Sequence, residues 1–173
     1  MKSTILFLFL FISIAASSQE IMVLKGNKQY KATSSWNFIC TNYSLSGEVQ
    51  VQVAKTENGG ILKLSVDTTN PKFILAGTVY VYLSDNSFIS CADKGLFENS
   101  DGKLHSYFIF TPAEMTKLKK LNINSIRFNI KGNSNDFSSQ TGNFTAINKK
   151  SYYTSTYYNS KNTFETNKEI SAL

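Results

Sequence analysis

Cys40, Cys91 and His105 are the side chains of this sequence with the most reactive chemistry. A Cys-His pair hydrolyses acyl groups when a thiolate is held beside an imidazole and a third group orients the ring. Nothing around either cysteine resembles a nucleophile motif. Each lies in an apolar, strand-like segment rather than at a helix N-terminus that would lower its pKa. The same two cysteines suit a disulfide, which would contribute roughly 4 kcal/mol in the chain-entropy treatment, or two buried thiols acting as small hydrophobes. With one histidine, no His/Cys/Asp cluster has zinc-ligand spacing. Asp93, Glu98 and Asp101 do not follow the spacing of a calcium loop. There is no Gly-rich phosphate loop, serine elbow or metalloprotease helix. No metal, cofactor or catalysis is therefore expected, and the enzymatic alternative is a small hydrolase centred on His105.

Aromatic side chains are more suggestive. Tyr152, Tyr153, Tyr157 and Tyr158 gather near the C-terminus with Lys149, Lys150 and Lys161 close by. Aromatic faces flanked by polar groups stack on sugar rings or on bases. The competing reading is a closing segment whose rings cover the core and leave their hydroxyls in water. The net charge of +6 is carried almost wholly by lysine, Arg127 being the single arginine. Phosphate and base-edge recognition favours the guanidinium fork, so nucleic acid is not an expected partner. A polysaccharide or an envelope protein is.

Residues 1–18 read as a cleaved export signal. Lys2 supplies the basic end, residues 5–14 (ILFLFLFISI) the apolar run, and Ala15, Ala16, Ser17 and Ser18 the small residues before a cut at Gln19. The apolar run is about half the ~20 residues a membrane span needs, so no span is expected once the signal is removed. What remains, 19–173, is the size of one domain, periplasmic or secreted, in a compartment that permits disulfides.

The elements that must position these residues are mostly strands. In 78–91, Val79, Val81 and Leu83 alternate with Tyr80 and Tyr82, and Asp85-Asn86 reads as a two-residue turn. That register pairs Leu83 with Phe88 and Tyr82 with Ile89. Both faces then look apolar, as in a hairpin covered on both sides. In 48–67, Asn58-Gly59 marks a second hairpin, with Val53 opposite Leu64 and Val51 opposite Val66. Trp36, Phe38 and Cys40 share one face of another strand, 21–24 makes a first one, and 126–130 and 143–148 make two more. Residues 92–103 read as a polar loop. Thr111, Pro112 and Glu114 spell the start of a capped helix over 112–121, whose natural resting place is the Tyr80/Tyr82/Ile89 face. A weak C-terminal helix is expected from Asn162. The fold class is therefore mostly β (α+β): antiparallel, sandwich-like sheet with one capped helix on a face. The expected role is a non-catalytic binding or interaction module of the cell envelope or extracellular space, with glycan as the ligand the tyrosines favour. A secreted inhibitor acting through loop 92–103 is a further alternative.

Overall fold

The computed structural model describes residues 20–24, 28–132, 138–152 and 162–173. The export-signal reading of 1–18, and Tyr153, Tyr157 and Tyr158, lie outside them. The chain runs β1 (Glu20–Leu24), β2 (Lys28–Ala32), β3 (Trp36–Ile39), β4 (Glu48–Thr56), β5 (Gly59–Asp67), β6 (Ile74–Leu75), β7 (Val79–Leu83), β8 (Phe88–Cys91), β9 (Phe97–Ser100) and β10 (Lys103–Phe110). Helix α1 (Pro112–Leu118), β11 (Ile123–Lys131), β12 (Gly142–Ile147) and α2 (Thr166–Ser171) complete it. All strand pairs are antiparallel, and twelve strands form one sheet in the order β8-β7-β11-β12-β3-β4-β5-β10-β9. Hairpin β1–β2 joins through β2 to β4, and β6 joins β11. The mostly-β, α+β class holds. The sheet curls until β10 approaches β6 and β8, so its two halves face each other across a common core.

Period-2 alternation puts the apolar set of each strand inside. Val49, Val51 and Val53 of β4, Leu62 and Leu64 of β5, and Ile126, Phe128 and Ile130 of β11 all enter one continuous core. Each such aliphatic or aromatic side chain contributes roughly 1.5–3 kcal/mol through burial. The opposite face of β4, β5 and β10 is covered too. There β1–β2 lies over Ala54, Ile61 and Tyr107 with Met22 and Ala32, forming a second small core. This explains why β5 is buried on both faces although its sequence does not announce it.

Hairpin β4–β5 keeps the expected faces but moves its register by two residues. Val53 pairs with Leu62 and Val51 with Leu64, so Glu57 and Asn58 form the turn. Gly59, not Asn58, takes the positive φ. A shift of two preserves which side chains point inward, and therefore preserves the core.

Helix α1 starts as its sequence dictates. Thr111 Oγ1 accepts from the Glu114 amide at 3.3 Å, and the Glu114 carboxylate accepts from the Thr111 amide at 2.7 Å. It ends at Leu118, with Met115 and Leu118 buried. Its position differs from the expected one. With no loop between Phe110 and Thr111, α1 stays at the end of β10 and packs on β5 and β10, leaving the Tyr80/Tyr82 face open. Helix α2 begins at Thr166 rather than Asn162, and its N-cap residue Glu165 makes no side-chain cap. Capping comes from a distant segment instead: Asn122 Oδ1 accepts from the Asn167 amide at 3.1 Å. Thr166 Oγ1 accepts from the Ile123 amide at 2.8 Å. Residues 92–103 are only partly loop, because Phe97–Ser100 hydrogen-bonds to β10 as strand β9. Among the described residues no helix is long and apolar enough to cross a membrane.

Candidate functional site: an aromatic face on β7, β8 and β11

The site is built by the turn between β7 and β8. Asp85 accepts from the Ser87 amide at 2.9 Å and from its hydroxyl at 2.5 Å. Asn86 takes the left-handed conformation at φ 65°, and the Leu83 amide donates to Ser87 O at 2.8 Å. The loop is thus three residues, Ser84 to Asn86, rather than two. Three-residue loops with a left-handed third position are a standard hairpin alternative. The consequence is a one-residue slip of the expected register: Tyr82 pairs with Phe88, Tyr80 with Ser90 and Val81 with Ile89. A slip of one moves every side chain of β8 to the other face. Ile89 and Cys91 go into the core, and Phe88 joins the tyrosines outside.

Three rings result, with Phe88 in contact with both tyrosines. Tyr80 and Phe88 meet edge to face with centroids 5.9 Å apart, and Tyr82 and Phe88 are tilted at 6.0 Å. Phe88 is 56% exposed and Tyr80 36%. Phe88 exposes most of its ring while bracing both tyrosines across the strand pair. Neither phenol hydroxyl has a hydrogen-bond partner among the described residues. Continuing across the sheet, Arg127 stands opposite Tyr80, and Thr145 opposite Arg127. The face therefore carries a cluster of mutually inclined rings edged by hydroxyls and one guanidinium. Sequence reading missed it because it took the hairpin as covered on both sides; the signal was Ser84-Asp85-Asn86-Ser87, read one residue too short.

The residues singled out from sequence are distributed elsewhere. Tyr152 is half-exposed, and its hydroxyl donates to Gly47 O at 2.5 Å. That bond ties the ring to the turn before β4, remote in sheet order from β7 and β8. Cys40 and Cys91 are buried free thiols and form no disulfide. Cys40 follows β3 and Cys91 ends β8, with β7, β11 and β12 lying between these strands in the sheet. Burial raises the Cys40 thiol pKa. Burial and then the Glu114 charge push Cys91 up to about 12. Neither supplies a thiolate at neutral pH.

His105 sits on β10 between Ser65 of β5 and Glu98 of β9, each directly opposite in register. Its Nδ1 lies 2.7 Å from Ser65 Oγ. The Glu98 carboxylate, however, accepts from the Tyr107 hydroxyl at 2.5 Å, and Ser65 is 5% exposed. A substrate carbonyl has no approach to an Oγ so covered. The neighbouring apolar cleft of about 270 Å³, lined by Leu24, Leu96, Phe97 and Tyr107, includes neither residue. Among the described residues no three His, Cys, Asp or Glu side chains are grouped to hold a metal ion.

The His105 environment has a consequence for stability. Burial first, then the Lys63 charge, lower its pKa from 6.5, against an opposing pull from Glu98. The fold therefore holds the neutral ring. Below about pH 6.5 the unfolded chain binds a proton that the folded chain refuses, so stability falls as pH falls through this range. Chemical unfolding midpoints should drop between about pH 7.5 and pH 5.5, and His105→Gln should flatten that slope. An unchanged slope in the variant would refute the assignment. Burial pushes the Asp67 carboxyl up, but Lys103 and Ser46 together hold it below its ordinary 3.8, so it titrates outside this range.

No family model, curated protein or solved structure matches this chain. The coordinates define a class: a mostly-β domain built on one curled antiparallel sheet, carrying an exposed aromatic face beside its β7–β8 edge.

Proposed function

We propose that the protein is an exported, non-catalytic binding module that stacks glycan on the face formed by Tyr80, Tyr82 and Phe88. Export rests on the signal-like composition of residues 1–18. The glycan reading rests on one observation: exposed Phe88 and Tyr80, with half-buried Tyr82, cluster around Phe88 on one sheet face, with unbonded phenol hydroxyls beside them. Sugar rings present apolar C–H faces edged by hydroxyls, and such a platform matches both. The tyrosines at 152, 153, 157 and 158 remain a proposed second contact region.

The test is calorimetric titration of the protein and its ring variants with a panel of polysaccharides, at low and high salt. Removing one ring from under a stacked base costs about 1–3 kcal/mol, and on the same scale Tyr80→Ala and Phe88→Ala should each weaken binding about fivefold or more. Stacking should survive high salt, whereas attraction to lysine charge should not. A Tyr80→Ala/Phe88→Ala protein that binds as tightly as the parent would end this reading.

A hydrolase centred on His105 is the second reading, supported by the 2.7 Å contact with Ser65. It requires ester turnover that disappears in Ser65→Ala. The coverage of Ser65 weighs against it.

A further inference from the structure

The charge on the aromatic face narrows the ligand. Strands β7, β8, β11 and β12 contain no Asp or Glu at any position. Their exposed face carries two cations, Arg127 and Lys131. The Arg127 guanidinium makes no ion pair or hydrogen bond among the described residues. Among the described residues Lys103 pairs with Asp67 and Lys168 with Glu165; Lys131, like Arg127, has no ion pair, and what sets Arg127 apart is that it is the single arginine of the sequence and stands beside the rings. The nearest acid along the hairpin, Asp85, belongs to the turn and is bonded there by Ser87. Arg127 lies in register with Tyr80, two residues deeper into the sheet than the Tyr82–Phe88 pair.

We infer that the ligand is an acidic polysaccharide whose ring carboxylate is gripped by Arg127 while the sugar stacks on Tyr80 and Phe88; this rests on the glycan reading above. The guanidinium presents a planar fork that matches a carboxylate with two parallel hydrogen bonds. An unpaired arginine facing water loses little hydration before a ligand arrives, and gains a partner of opposite charge when it does. Arg127 and Lys131 are four residues apart on one strand, about 13 Å in an extended chain, so a single substituent meets one cation. The ladder spacing also fits: β7 and β11 are adjacent, about 4.8 Å apart. An acid group on a ring stacked over Tyr80 therefore overhangs the Arg127 strand.

The experiment titrates the purified protein with polygalacturonate and with the same polymer after its carboxyls are reduced to alcohols. The acidic polymer should bind about tenfold tighter, and Arg127→Gln should abolish that difference. Arg127→Lys should recover only part of it, because an ammonium lacks the fork. Lys119→Gln/Lys120→Gln, beyond the end of α1, should leave the difference intact. Equal binding of the two polymers overturns the inference, and so does an equal loss from the Lys119/Lys120 variant, which would mean bulk charge. If a neutral glycan binds and needs Tyr80 while the acidic polymer gains nothing, the platform stands and its charge preference falls. If no glycan binds at all, the platform reading itself fails.

Discussion

Gly59→Ala should destabilise the protein by about 3 kcal/mol or more, which would make it one of the costliest single-methyl additions in the fold. Two penalties coincide at this position. Gly59 has φ +130°, where side chains are rarely found, and a Cβ there would lie 2.0 Å from Phe110 O. That neighbour is backbone, so it cannot rotate away. Phe110 ends β10 and passes straight into Thr111, whose hydroxyl and amide form the capping box of α1. Pushing on Phe110 O therefore disturbs a strand end and a helix start together. Gly77 supplies the control: its φ is +82° but nothing lies within 4 Å of its Cβ position. Gly77→Ala should show backbone strain alone, about 1–2 kcal/mol. Urea unfolding of the two variants separates strain from collision. Equal losses would show that the contact with Phe110 carries no weight.

The same junction shows what the sequence makes legible. Thr111, Pro112 and Glu114 determine a helix start through local chemistry, and the structure has that start with both reciprocal bonds. The inward faces of β4, β11 and β12 follow from alternation, which burial enforces. Where a decision depended on a turn, the reading went astray by one or two residues. Asn58-Gly59 shifted the β4–β5 register by two, which is harmless because side-chain direction repeats every two residues. Ser84-Asp85-Asn86-Ser87 shifted the β7–β8 register by one, which carried Phe88 from the core to the surface. The aromatic platform depended on that single residue. Tertiary features had no local signature. The β1–β2 hairpin lies over Ile61 and Tyr107 without any pattern in β2 that foretells it, and β9 pairs with β10 from a stretch whose composition reads as loop. The resting place of α1 was decided by a missing linker after Phe110. Cys91 lies in an apolar strand as expected and Cys40 sits just past the end of one, but their separation in the sheet depends on strand order, which no spacing in the sequence encodes.

Glu169→Ala should cost about 2–4 kcal/mol, although the residue is a partly exposed glutamate on a six-residue helix. Its carboxylate holds three donors from the far end of the chain. Oε2 accepts from the Ser34 amide at 3.1 Å and the Ser34 hydroxyl at 2.7 Å, and Oε1 accepts from Trp36 Nε1 at 2.9 Å. Trp36 is 1% exposed, so its indole N–H has no water to fall back on. Losing the partner of a buried donor costs the whole desolvation of that group rather than the small net value of one bond. Ser34 stands where the chain passes from β2 to β3 beside β4, a joint whose alignment sets which residues of β3 enter the core. An α2 so short cannot hold itself by helix propensity, and this carboxylate, with Thr166 on Ile123 and Asn148 on Phe164, is what fixes it. Glu169→Gln keeps an acceptor for Trp36 but turns an NH₂ toward the Ser34 amide, so its loss should be intermediate. A double-mutant cycle with Trp36→Phe isolates the indole bond, and a coupling of about 1 kcal/mol or more is expected between the two. A coupling near zero would mean that Trp36 is held by packing alone, and that the cost of Glu169→Ala arises at Ser34.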